Sequence, residues 1–315
     1  MENITINRIL VPIDYSDTST RALALAAAMS QRHNAVIRLL HIINPDQYVF
    51  SSGDGLSISL SSEEVIEAEV PKLHQWADEK LADLPVRYFV ECRTGVISDR
   101  IADVARDFGA DLIVMGAHGT SGIREYLMGS EAYRVLKVAP CPVLTVPGTF
   151  QNTDFQEILF PVRPVPGALD KYEYARRIIR KNKAHLTVLG LFDRHDAHET
   201  DPVTNAMSVL DRQLAEDSID ADILLAETDS VAKTVLRKSE DLHASLIIIT
   251  ATLDTPIRHF FVGPFARQIV NRAKVPVLSI QPEAPVIAHM QPTASRTLQS
   301  MIPSFNQFFP PVQLG

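Results

Sequence analysis

The chain has 315 residues, 46% of them hydrophobic and 22% charged, with a formal net charge of −8. The length fits two domains better than one, and the acidic balance argues against a nucleic-acid surface. No apolar run approaches a membrane span, and the start MENITINRIL lacks the basic stretch and apolar run of a secretory signal. Two cysteines, Cys92 and Cys141, are too few for a disulfide framework and read as buried thiols, so a cytoplasmic location is expected.

Residues 8 to 13 read as a first strand, with Asp14, Tyr15, Ser16 and Asp17 as turn and cap residues after it. Ala22, Leu25, Ala26 and Met29 share one face of the following helix, and residues 35 to 43 form a second strand. A strand-helix-strand unit of this kind closes parallel and right-handed. Residues 44 to 61 are longer and richer in Ser, Gly and Asp than a minimal connection needs, which suits a lid or mobile segment. A helix is expected from Ser62 to Leu84, started by the cap-like run Ser61-Ser62-Glu63-Glu64 and kinked or split at Pro71. Trp76, the single tryptophan, reads as helix packing. Residues 86 to 92 form a third strand, and the next helix places Ile97, Ile101, Val104, Ala105 and Phe108 on one stripe before stopping at Gly109.

Leu112 to Met115 read as a strand buried on both faces and ended by Gly116. Gly119, Gly129 and Ser130 follow, and Ser130 to Ala139 is helical by spacing, with Ser130 as N-cap and Pro140 and Pro142 as its stop. Small residues ahead of a helix start leave unpaired N–H groups and a positive dipole end open to a phosphate. Such glycines and serines are also ordinary structural devices, and spacing alone leaves both readings open. Val143 to Val146 completes five strands alternating with four helices, the pattern of a doubly wound parallel α/β sheet.

The pattern Gly116-x2-Gly119-x9-Gly129-Ser130 resembles the nucleotide-binding motif of the ATP-binding branch of the universal stress protein family. The stretches ILVPIDYSDTSTRALALAAAMSQ and RLLHIIN are similar to that family as well. The resemblance implies an adenine nucleotide alpha hydrolase-like fold with strand order 3-2-1-4-5, in which Asp14 and Gly116 end neighbouring strands. It implies ATP, ADP or AMP as ligand, with Mg as companion of the triphosphate, and phosphates at Gly119, Gly129 and Ser130. Glu131 completes the motif, Asp14 lies by the nucleoside and the backbone of Ile42 meets the adenine. Taken alone, Asp14 is equally a turn-stabilising aspartate, His118 an exposed loop histidine and Arg124 a solvated arginine.

Residues 155 to 282 repeat the plan, so tandem domains are expected at 1–148 and 154–282, followed by a tail at 283–315 whose aromatics suit docking. Alignment through Gly263 and Val277 puts Thr250 in place of Gly116, Leu253 in place of Gly119 and Pro264 in place of Ser130. Strand alignment puts Arg163 in place of Asp14, and each of these changes opposes phosphate binding. Val143–Val146 and Val277–Ile280 are expected to pair as sheet edges, making an intramolecular pseudo-dimer, with a homodimer left open. The expected function is an adenine-nucleotide-binding stress sensor or regulator. The alternative is a nucleotide-independent scaffold with a vestigial pocket. An enzyme reading finds no SGGxDS loop, no HIGH-type motif and no base-nucleophile pair in the sequence.

Overall fold

A computed structural model describes residues 5–43, 61–117, 130–165, 167–193, 200–251 and 264–281, and the backbone alone of 49–51 and 57–59. The first half runs β1 (Arg8–Ile13), α1 (Asp17–His33), β2 (Val36–Ile43), β3 (Val49–Ser51), β4 (Ser57–Ser59), α2 (Ser62–Leu81), β5 (Arg87–Thr94), α3 (Ile97–Phe108), β6 (Leu112–Gly116), α4 (Ser130–Val138) and β7 (Val143–Val146). The second half runs β8 (Glu157–Val162), α5 (Lys171–Asn182), β9 (His185–Asp193), α6 (Thr200–Glu216), β10 (Ala221–Thr228), α7 (Val231–Asp241), β11 (Leu246–Thr250), α8 (Pro264–Arg272) and β12 (Val277–Ile280).

Local chemistry explains most boundaries. The Ser16 side chain caps α1 by accepting from the Ser19 N–H at 3.2 Å, and Asn34 closes the helix in the left-handed conformation. Ser61 and Glu64 form a reciprocal capping box at the start of α2. That helix runs through Pro71 without splitting and stops at Leu81, short of the expected Leu84; the proline lies on its exposed side. Gly109, at φ 61°, ends α3 where expected. Part of the segment read as a loop forms a short antiparallel hairpin of β3 and β4. The second half has only residues 194–199 between β9 and α6, so the hairpin belongs to the first half alone among the described residues.

Ten strands form one sheet in the order β10-β9-β8-β11-β12-β7-β6-β1-β2-β5. Each half is parallel in the order 3-2-1-4-5, as expected. The halves join where β12 pairs antiparallel with β7, Leu278 opposite Leu144, and the Thr145 hydroxyl donates to the Val277 carbonyl at 3.2 Å. Two apolar edges thereby cover each other. Val11, Leu39, Val114 and Leu144 lie in one core with residues of α1, α2 and α5; Leu10, Leu40, Ile113 and Val143 lie in the other with residues of α3, α4 and α8. Each such side chain, fully buried, contributes roughly 1.5–3 kcal/mol. Arg32 Nη2 of α1 donates to the Thr153 carbonyl in the connection between β7 and β8, and cations of α1 and α5 gather nearby. Burial first, then Lys181, Arg32 and Arg177, push the His33 imidazole down to about 4, so it is neutral at physiological pH.

Candidate nucleotide site

Asp14 directly follows β1 and Gly116 is the last residue of β6, and these two strands are neighbours in the sheet. α1 leaves β1 on one face of the sheet and α4 lies on the other, which opens a crevice at the strands' carboxyl ends. Asp14 Oδ1 accepts from the Ser16 N–H at 3.1 Å and from the Ser16 hydroxyl at 2.5 Å. This is the turn-stabilising role that the sequence allowed, and it holds the carboxylate at the mouth of the crevice. Ile42 lies one residue before the end of β2, half-buried, opposite Arg93 of β5.

Ser130 is the first described residue of α4 and is exposed. At the start of the helix the Ser130 N–H is among the orphan donors that an anion can meet. Glu131 opens the same turn and its Oε1 accepts from Arg134 at 2.6 Å. A carboxylate opposes phosphate, so Arg134 offsets it and the Glu131 backbone N–H is the group that suits the ligand. Gly119 and Gly129, with His118 and Arg124, lie outside the described residues. The tertiary structure therefore brings Asp14, Ile42 and Gly116 to one end of the sheet, with Ser130 and Glu131 opening the helix that follows β6.

Sequence reasoning missed Tyr15. Its φ of 62° lies in the left-handed region, which is rare for a bulky side chain, and the residue is 37% exposed. The ring sits 4.7 Å from that of His41 and 5.6 Å, edge-on, from that of Trp76. Trp76 does pack against the core, as read, but it also meets the crevice residue next to Asp14. No periodicity in the sequence signals this contact, because the partners lie on α2 and on the turn after β1.

The second half shows what the same scaffold looks like when closed. Counting back from the left-handed caps Asn34 and Lys183, Lys171 of α5 occupies the place of Ala22 of α1. Its ammonium is buried, donating to the Pro161 carbonyl at 2.6 Å and to the Thr250 hydroxyl at 3.2 Å, with the Phe160 ring 4.4 Å away. Burial, and then Arg163, lower its pKa to about 7. Arg163, in the place of Asp14, lies over the Phe265 ring at 4.0 Å, and Phe265 stands in the place of Glu131. Side chains of the protein itself thus fill the ends of β8 and β11. Lys171 carried no signal in the sequence, since a lysine at a helix start is ordinarily solvated.

No group of three or more His, Cys, Asp or Glu side chains among the described residues is placed to hold a metal ion. Cys92 is pushed up to about 11 and Cys141 to about 12, both chiefly by burial, so neither is a thiolate at neutral pH. No helix among the described residues is long and apolar enough to cross a membrane.

Comparison with known proteins adds an independent finding. A family model described as the universal stress protein family matches residues 5–147 and 154–281. Universal stress protein MJ0531 of Methanocaldococcus jannaschii is 34% identical over 142 residues, covering 44% of this chain and 81% of that relative. Universal stress protein YxiE of Bacillus subtilis is 31% identical over 147 residues, covering 44% of this chain and 98% of that one. The crystal structure of a universal stress protein from Archaeoglobus fulgidus is similar in fold at a TM-score of 0.68 and 18% identity, over 89% of this chain and 97% of that one.

Proposed function

The chain belongs to the universal stress protein family, and from that premise we propose that it binds one adenine nucleotide, ATP, ADP or AMP, in the crevice of its first half. In this reading the protein is a cytoplasmic regulator of a stress response, with nucleotide occupancy as its signal. The observation that carries the reading is internal. Asp14, Gly116, Ser130 and Glu131 of the first half correspond in position to Arg163, Thr250, Pro264 and Phe265 of the second, on one shared scaffold. Glycine leaves the strand end free of a side chain, and a helix start with its N–H groups free receives a phosphate; threonine, a buried ammonium and proline do neither.

The phosphates would lie at Gly119, Gly129 and Ser130, the nucleoside by Asp14 and the adenine at the Ile42 backbone. A magnesium ion would be carried on the phosphate oxygens. Holding a triphosphate only positions it, whereas hydrolysis also needs an oriented water and charge neutralisation in the transition state. The regulator role requires neither. A nucleotide-independent scaffold is the second reading, and the filled crevice of the second half favours it for that half.

The test is calorimetric titration of the purified chain with ATP and with AMP, together with chromatography of nucleotide released by heat. A stoichiometry near one supports the reading. A stoichiometry near two, or no binding of either nucleotide, overturns it, and several turnovers per second with ATP and magnesium would make the protein an enzyme instead.

A further inference from the structure

We propose that the Tyr15 ring is the surface on which the base of the bound nucleotide stacks, backed by His41 and Trp76, so that Tyr15 sets a preference for nucleotides over bare polyphosphate. This rests on the reading of the first crevice given above and goes beyond it by assigning base recognition to a side chain. Three features of the first half support it. Tyr15 follows Asp14 and its ring reaches over the end of β2, where His41 pairs in register with Ile13 and Ile42 comes next. Its backbone is held in an unfavourable left-handed conformation by the Asp14–Ser16 turn, and such conformations gather at ligand sites. Two rings position it from behind: the His41 ring tilted at 45°, and the Trp76 ring edge-on at 81°. The His41 ring is itself fixed, because its Nδ1 donates to the Ile13 carbonyl at 2.8 Å. A tyrosine serving only the core would be turned inward, whereas Tyr15 is an exposed residue.

The second half repeats the logic in reverse. The β1–β2 register puts Ile13 beside His41, and the β8–β9 register puts Val162 beside Gly190. His41 therefore corresponds to Gly190, and Tyr15 to Pro164. Proline is locked at negative φ and cannot adopt the left-handed kink of Tyr15. By the β2–β5 and β9–β10 registers Tyr88 corresponds to Ala221, and the place of Trp76 falls on the exposed Val209 of α6. The half that lacks the phosphate cradle lacks all three rings.

The experiment titrates the full chain with ATP and with inorganic tripolyphosphate, in the parent, Tyr15→Asn and Tyr15→Phe. Asparagine tolerates the left-handed backbone, so this variant removes the ring while keeping the turn. Stacking on one aromatic ring predicts ATP affinity about tenfold weaker in Tyr15→Asn and near the parent's in Tyr15→Phe, with tripolyphosphate affinity the same in all three. Trp76 is the only tryptophan, so its emission in the parent should change with ATP and stay constant with tripolyphosphate. That arm needs no variant. Equal ATP affinity in Tyr15→Asn and parent, equal loss of both ligands, or Trp76 emission indifferent to bound ATP overturns the stacking role while leaving nucleotide binding intact. A parent that binds neither ligand overturns the crevice reading and the stacking role with it.

Discussion

At the carboxyl end of β6 the first half has Gly116, and at the matching end of β11 the second half has Thr250, whose hydroxyl accepts from a buried Lys171. Ala22 is buried where Lys171 stands, and Asp14 occurs where Arg163 stacks on Phe265. Strand order, register and the two core layers are the same on both sides of the β7–β12 seam. The contrast teaches that fold and site draw on different positions. Inward apolar residues of strands and helices maintain the sheet, and a handful of residues at the strands' carboxyl ends decide whether anything can enter. Even an ammonium is accommodated there, because two oxygens and an aromatic face replace part of its lost hydration.

The contrast can be broken most sharply by copying the second half into the first. Gly116→Thr is expected to weaken ATP binding at least about 100-fold, close to 3 kcal/mol, by placing a β-branched side chain where the ligand approaches. The fold should persist, since threonine already ends β11, and calorimetry beside a thermal melt separates the two effects. An affinity within threefold of the parent would show that Gly116 is merely a strand terminator.

Lys171→Met tests the closed side through stability. The folded value of about 7 lies below the ordinary 10.5, so between those pH values the unfolded chain binds more protons and stability rises with pH. The penalty for burying the charge is fully present below pH 7 and gone above 10.5. The methionine variant should therefore be more stable than the parent by about 2 kcal/mol at neutral pH, after the loss of two hydrogen bonds, with the gain vanishing toward pH 10.5. Urea unfolding at pH 7 and 10 checks this; a gain independent of pH would mean that the charge is not what costs stability.

Ser130→Pro is the mildest change. Pro264 begins α8 as Ser130 begins α4, and proline is favoured at a first helical position, so stability should change little. One N–H and one hydroxyl are lost from the phosphate cradle, so ATP affinity should fall about tenfold, near 1.4 kcal/mol. Calorimetry showing unchanged affinity would move the phosphates away from this turn.

Much of this architecture is written in short-range pattern. Alternating strands and helices, the stops at Gly109 and after Met115, the internal repeat and the glycine spacing are all readable along the chain, because caps, turns and apolar periods act over a few residues. The substitutions Gly116 to Thr250 and Asp14 to Arg163 were equally visible by alignment. Tertiary structure alone decided the rest. It turned Lys171 inward against the expectation for a lysine, and carried α2 through Pro71 and ended it at Leu81. It also brought Tyr15, His41 and Trp76 together. Those outcomes depend on contacts between elements distant in sequence, where the balance of burial, hydrogen bonding and backbone strain is settled by neighbours that local pattern does not name.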